Sequence, residues 1–244
     1  MDHAHDEPFG DAANIPLFLL SKELKGKIKV VLQGDGGDEF FGGYSLYNTI
    51  TNVNKWKLFS PLSKLIQLSR TKHPELLRLM RFVEGISEKN PALRNALLST
   101  TETIYGNPLK VFDKDLQSEL INCEPFKAYE NLYVEYGSQI SSTQAIFYTD
   151  TQILLKDTYF DKVDRSTMAN SMEVRVPFVD KHLTEFMLSI PAELKVKNGV
   201  KKYLLKKALH DILPHDILYG PKTGFGVPYG YWLKTSLAKY SKPA

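Results

Sequence analysis

A short apolar strand that runs straight into a glycine-rich acidic loop constrains this chain more than any other feature. Ile28-Lys29-Val30-Val31-Leu32 is brief, apolar and rich in β-branched residues, the pattern of a buried strand. It is followed at once by Gln33-Gly34-Asp35-Gly36-Gly37-Asp38-Glu39-Phe40-Phe41-Gly42-Gly43-Tyr44, with five glycines in twelve residues. Glycine lets the backbone turn sharply, approach a ligand closely and aim N–H groups at phosphate oxygens. Asp35 and Asp38 add carboxylate oxygens beside such a site, a donor type that suits Mg²⁺. The same residues also suit a tight turn with solvated acids. The acid spacing and missing terminal Glu exclude a calcium-binding EF-hand. No Gly-Lys-Ser/Thr follows, so this is no Walker A loop, and glycines at 34, 36, 37, 42 and 43 do not fit a dinucleotide fingerprint.

Two further segments hold charge in unusual settings. Lys162, Asp164, Arg165, Glu173 and Arg175 surround the less polar stretch Ser166–Met172 and lead to Val176-Pro177-Phe178. Burying a lone charge is costly, so these side chains must be paired or face a cleft. Ion pairs that staple helices are the simpler outcome. In Gly220-Pro221-Lys222-Thr223-Gly224-Phe225-Gly226 a single lysine sits on a constrained small-residue loop. It is either a solvated loop lysine or a cation held for an anionic leaving group such as pyrophosphate.

The rest of the chain sets the fold class. The spacing predicts a helix over 15–25 stopped by Gly26, after a polar loop over 1–13. Residues 45–157 read as mainly helical, punctuated by Pro61, Pro74, Pro91, Pro108 and Pro125. Leu183, Phe186, Met187 and Ile190 form one apolar helix stripe ended by Pro191. Tyr203 to Leu213 is amphipathic, with Leu204, Leu205, Ala208, Leu209 and Ile212 on its inner face. The tail from Gly220 to Trp232 reads as a loop entering a short helix. The lysine-rich stretch from Lys195 to Lys207 fits a solvated helix face better than a nucleic-acid site. The class is therefore α/β and α-rich, with the loop at the C-terminal end of a strand.

Composition narrows the function classes. Net charge is +3 over 244 residues, too weak a bias to indicate nucleic acid. The single Cys123 excludes an internal disulfide framework, and no apolar run approaches a membrane span. The acidic N-terminus does not read as a signal peptide, so a soluble cytoplasmic protein with no membrane partner is expected.

Together the segments resemble, in order, the C-terminal synthetase domain of glutamine-dependent asparagine synthetases. The loop from Gln33 to Tyr44 is similar to that family's Ser-Gly-Asp/Glu-Gly-x-Asp-Glu-x-Phe-Gly-Gly-Tyr. The run from Lys162 to Asp180 resembles its second block. Lys202–Ala208 and Pro221–Phe225 resemble its third, and Asp6–Asp11 the segment before the loop. The likeness is weakest between about residues 55 and 140. It implies a partial ATP-pyrophosphatase fold, of the adenine nucleotide alpha hydrolase type: a parallel sheet with flanking helices and a helical C-terminal region. It also implies ATP-dependent amidation of aspartate with Mg²⁺, through β-aspartyl-AMP and then attack by ammonia. By position, Gln33, Gly34 and Gly36 would bind the nucleotide, and Asp35 would lie beside the adenylate. Asp38 would hold Mg²⁺ and Lys222 would neutralise phosphate charge. Glu173 and Arg175 would support the cleft by ion pairing.

The chain departs from the family in three places. Gln33 replaces the usual Ser. Position 2 is Asp2, where the glutaminase domain has its nucleophilic Cys, and no Ser-Gly-Gly-x-Asp-Ser pyrophosphate loop occurs. Residues 1–244 are thus expected to be a partial synthetase domain, inactive alone and complemented by a fragment with that loop and a glutaminase. A related amidotransferase acting on another carboxylate, or a non-catalytic fragment that associates with a partner, are the competing readings.

Overall fold

A computed structural model describes His5, residues 9–56, Leu58, Pro61 and residues 74–99, 113–124, 126–136, 139–221 and 226–240. Lys222, Pro108 and Pro125 lie outside the described residues. The described chain is a helix-rich α/β structure with a two-stranded parallel sheet, and it divides into two compact units.

The first unit comprises residues 1–36, 154–184 and 208–244. Asp11 starts its first helix, Asn14–Leu24, by accepting from the Ala13 N–H at 2.9 Å. Gly26, at φ +78°, supplies the left-handed turn that stops the helix as expected. The helix Asn14–Leu24 packs on Asp161–Met168. The contact is fastened by a polar knot. The fully buried Ser21 hydroxyl donates to Phe18 O (2.8 Å) and Ser166 O (3.0 Å), and accepts from Asn170 Nδ2 at 2.8 Å.

Strand β1 (Val30–Leu32) pairs in parallel with β2 (Glu173–Arg175), with Val31 opposite Val174. The strand lies where its composition indicates, but it is not buried. Val30 and Leu32 share one face and are 40% and 69% exposed. β-Branched composition reports strand propensity, whereas burial requires a covering layer, and no described element of this unit covers that face.

The second unit comprises residues 37–153 and 185–207. Its core joins Tyr47 and Ile50 of the helix Ser45–Thr51 to Ile146 and Phe147 of the helix Ser142–Asp150. Ala192 and Val196 complete it. Tyr47 stacks on Phe147 at 4.3 Å between ring centroids. The helices Pro74–Ser87 and Pro91–Ser99 pack as a pair. Asn90 caps the second by accepting from the Ala92 N–H at 3.0 Å, with Pro91 at the first helical position.

Several boundaries differ from the sequence reading. The helix Ser142–Asp150 continues into a π-helical run, Thr151–Phe160, before α-geometry resumes at Asp161–Met168. Apolar periodicity does not separate i→i+5 from i→i+4 bonding. The predicted 203–213 helix spans only Tyr203–Ala208, and Ile212 is 71% exposed. The Leu209 carbonyl accepts from both Ile212 and Leu213, which tightens the chain into turns ahead of Pro214. In the helix Lys181–Ser189 the apolar stripe is split, with Met187 buried and Phe186 exposed. Lys195 is no solvated lysine: it is fully buried, with its Nζ 4.5 Å from the Phe147 ring centroid. The tail does form a short helix, Tyr229–Lys234. Among the described residues no helix is long and apolar enough to cross a membrane, and Cys123 is a free thiol.

Candidate active site

The loop after β1 passes from one unit to the other between Gly36 and Gly37. On the strand side, the half-buried Gln33 donates its N–H to Arg175 O at 2.9 Å and so prolongs the β ladder. Gly34 is exposed, Asp35 half-buried and Gly36 buried. Gly36 has φ +85°, a conformation that a side chain would strain.

On the helical side, Gly37–Phe41 forms one short turn of helix. Its end is closed by two glycines: the N–H groups of Gly42 and Gly43 both donate to Asp38 O at 2.9 Å. Gly42 has φ +81°, and a Cβ there would lie 2.6 Å from Val196 Cγ2. A Cβ at Gly43 would overlap the Asp38 carboxylate and approach Lys202 Cε to 2.6 Å. The glycines therefore make room for the pair they flank. Lys202 Nζ lies 2.9 Å from Asp38 Oδ1, with side chains 30% and 20% exposed. The Lys202 backbone, at φ +54°, also donates to Gly42 O at 3.2 Å.

Adjacent acids in this turn have different surroundings. Asp38 pairs with Lys202, whereas Glu39 is only 2% exposed and accepts from the Tyr44 hydroxyl. Successive helical side chains point about 100° apart, so one acid can serve a site while the next anchors the turn to the interior.

Four of the five charges of the second block are in ion pairs and Asp164 is exposed, but only the Lys162–Asp11 pair joins separate segments. Lys162 Nζ meets Asp11 Oδ2 at 2.7 Å and stacks over Tyr159. Arg165 pairs with Asp161 at 2.6 Å along its own helix. Glu173 and Arg175 pair with each other at 2.7 Å on β2, with both side chains more than half exposed. Burial pushes the Asp11 carboxyl up, but the Lys162 bond and charge, with the Ala13 N–H, hold it below its ordinary value. None of the predicted site residues that are described lines the open depression of about 640 Å³ between Phe9–Ile15 and Val227 and Tyr229.

The donor set bears directly on a metal. No group of three or more His, Cys, Asp or Glu among the described residues is arranged to hold an ion. Asp38 offers one carboxylate, with a lysine already beside it. That fits a Mg²⁺ carried in on phosphates, which needs only one or two protein carboxylates, rather than a resident all-protein metal centre. Lys202 and Glu39 were missed as site elements because neither their type nor their spacing distinguishes them from neighbouring lysines and acids.

Within the first unit a parallel strand pair leads into the glycine-rich segment, and within the second a glycine-flanked acidic turn carries the Asp38–Lys202 pair. The chain belongs to the asparagine synthase family, whose model matches residues 1–243. It is 33% identical over 240 residues to asparagine synthetase [glutamine-hydrolyzing] 1 of Bacillus subtilis (strain 168), covering 96% of this chain and 36% of that protein. The putative asparagine synthetase [glutamine-hydrolyzing] of Mycobacterium tuberculosis (strain ATCC 25618 / H37Rv) is 32% identical over 232 residues, 94% of this chain and 34% of the relative. The asparagine synthetase [glutamine-hydrolyzing] of Gallus gallus is 46% identical over 82 residues, 31% of this chain and 15% of the relative. The chain thus spans about a third of the length of the Bacillus subtilis and Mycobacterium tuberculosis relatives. No solved structure matches it.

Proposed function

We propose that the chain is the nucleotide- and aspartate-activating part of an asparagine synthase. The observation that carries this reading is the family match over residues 1–243, joined to a loop in which two glycines frame a half-buried Asp38–Lys202 pair. The reading includes an ATP-pyrophosphatase type of parallel sheet and a cytoplasmic setting. The aspartate β-carboxylate attacks the α-phosphorus of ATP, the α–β phosphoanhydride bond breaks, and pyrophosphate leaves. Ammonia then attacks the acyl carbon of β-aspartyl-AMP, and asparagine and AMP separate. A carboxylate is a poor acyl donor, and adenylation turns its oxygen into a good leaving group.

In this reading the backbone of Gln33, Gly34 and Gly36 lies against the nucleotide. Asp35 sits beside the adenylate, where it positions or deprotonates ammonia. Asp38 would hold Mg²⁺, which would neutralise phosphate charge. Lys202, 2.9 Å from Asp38 Oδ1, aims that carboxylate. Lys222 neutralises charge that grows on the phosphates, a role worth about 3–4 kcal/mol if it matches loss of one oxyanion donor. The Glu173–Arg175 pair steadies the cleft side of β2.

Synthesis is proposed to need more polypeptide than these 244 residues, since the sequence holds no Ser-Gly-Gly-x-Asp-Ser string. The test is aspartate-dependent ATP–pyrophosphate exchange, measured with the chain alone and with a polypeptide carrying the unmatched part of a relative. Exchange is expected only in the mixture, and Lys222→Ala is expected to abolish it. Exchange by the chain alone refutes the need for complementation. Retention of most exchange in Lys222→Ala removes that lysine from the mechanism.

A further inference from the structure

Within the second unit, the helix Ser142–Asp150 ends on an acid that is only 2% exposed. No cation among the described residues acts on Asp150. The groups that face it come from several elements. Its helix packs on Gly37–Phe41, Ser45–Thr51, Lys127–Tyr136 and Ala192–Lys195, whose buried titratable groups are Glu39, Tyr47, Tyr129 and Lys195. Of these, Glu39, Tyr47 and Tyr129 interact with Asp150. Tyr44 completes the set, bonded to Glu39 and with its ring 5.6 Å from that of Tyr47. Tyr47 and Tyr129 are buried, at 0% and 8% exposure.

This cluster connects the acidic loop to the core. Glu39 is the residue after Asp38, and Tyr47 stacks on Phe147, whose ring also lies against Gly42. Asp150 is the last α-helical residue before the π-helical run Thr151–Phe160. A carboxyl so placed is costly to ionise, because its charged form is withdrawn from water and meets no counter-ion among the described residues.

We propose that Asp150 is a proton-operated positioning residue for the acidic loop: neutral, it packs beside Tyr47 and Glu39 and holds the Gly37–Phe41 turn in place; ionised, it sets one carboxylate against another in a dry pocket and loosens that turn. Burial pushes the Asp150 carboxyl up to about 7 from its ordinary 3.8, Glu39 adds to the rise, and the Tyr47 hydroxyl opposes it. The neutral form therefore prevails below about pH 7 in the folded chain, and the loop loosens as pH rises through that value. Burial, followed by Asp150, raises Tyr47 well above its ordinary value, so it remains a hydroxyl throughout. The consequence for nucleotide binding rests on the proposed function, while the loop's response to pH does not.

The experiment uses the 244-residue chain with ¹³C-labelled aspartate carboxyls. One carboxyl signal is expected to titrate near pH 7 and to be missing from Asp150→Asn. Hydrogen exchange of the 37–43 amides, corrected for intrinsic rates, is expected to lose protection between about pH 6 and 8 in the parent and to stay level in Asp150→Asn. Tyr47→Phe removes the opposing hydroxyl, so its transition moves to higher pH; this variant carries the test if Asp150→Asn does not fold. Titration of Asp150 in the ordinary carboxylate range overturns the proposal. So does an identical protection profile in parent and Asp150→Asn, or a Tyr47→Phe transition that stays or moves down. Mg-ATP affinity is followed over the same range and is expected to fall with loop protection. If Mg-ATP fails to bind at every pH while protection still responds, the nucleotide reading fails and the positioning role stands.

Discussion

Lys195 should weaken the fold at neutral pH, and Lys195→Met should strengthen it. The side chain is fully buried in the Tyr47–Phe147–Val196 core, and its amine has no hydrogen-bond partner among the described residues. Desolvation lowers the ammonium to about 8 from 10.5. At about 1.4 kcal/mol per pH unit, that gap costs about 3 kcal/mol at pH 7. The Phe147 face, 4.5 Å from Nζ, returns up to about 2 kcal/mol by cation–π attraction. Methionine keeps the unbranched shape and has no charge to desolvate, so the expected net gain is about 1–3 kcal/mol.

The sign is fixed by linkage. The folded value lies below the unfolded one, so the full stability is present above about 10.5 and is lost as pH falls toward and through about 8. Urea unfolding of parent and Lys195→Met, followed by tyrosine fluorescence at pH 7 and again at pH 10.5, reads the effect. The variant should unfold at higher urea at pH 7, and most of its advantage should vanish at pH 10.5. A variant less stable than the parent at pH 7, or an advantage that does not change with pH, would refute the reasoning.

Other perturbations separate the remaining contributions. Asp38→Asn breaks a partly buried ion pair and should cost about 1–2 kcal/mol of stability by thermal melting. It should also abolish the Mg²⁺ dependence of ATP binding measured by calorimetry, and unaltered Mg²⁺-dependent binding would remove Asp38 from the site. Gly42→Ala combines a left-handed backbone with a 2.6 Å approach to Val196 and should cost about 2–4 kcal/mol. Gly199→Ala, at φ +79° in open space, should cost only about 1 kcal/mol, and equal losses would discount the Val196 contact. Ser21→Ala leaves the buried Asn170 amide short of its best acceptor and should cost about 1–3 kcal/mol by urea titration. Because Asp11 is held below its ordinary 3.8 chiefly by Lys162, its stabilisation should be lost as pH falls through that lowered value; Lys162→Met should flatten this acid limb of the melting profile.

Local rules made some elements legible and not others. Gly26 stops the first helix because one residue must adopt a left-handed φ, a requirement written in a single position. Lys162 finds Asp11 where both side chains are largely buried, because uncompensated charge is costly away from water. The glycine-rich loop likewise marks a place where backbone, not side chain, must fit. Each of these requirements follows from residue type within a short window.

Partner choice does not follow from such windows. Lys195 and Lys202 stand in one basic stretch, yet one is sealed over Phe147 and the other pairs with Asp38. Asp38 and Glu39 are neighbours, yet one faces a lysine and the other a tyrosine inside the unit. What separates them is which helix arrives opposite, and that depends on the intervening chain folding through Phe147 and Val196. The glycines at 42 and 43 connect the two levels: their missing Cβ atoms are a local property, but what fills the space is Val196, Asp38 and Lys202. The loop's turn geometry could therefore be read from its residue types, while its electrostatic state could not. That state is set by Lys202 on one side and by a buried carboxyl, Asp150, on the other.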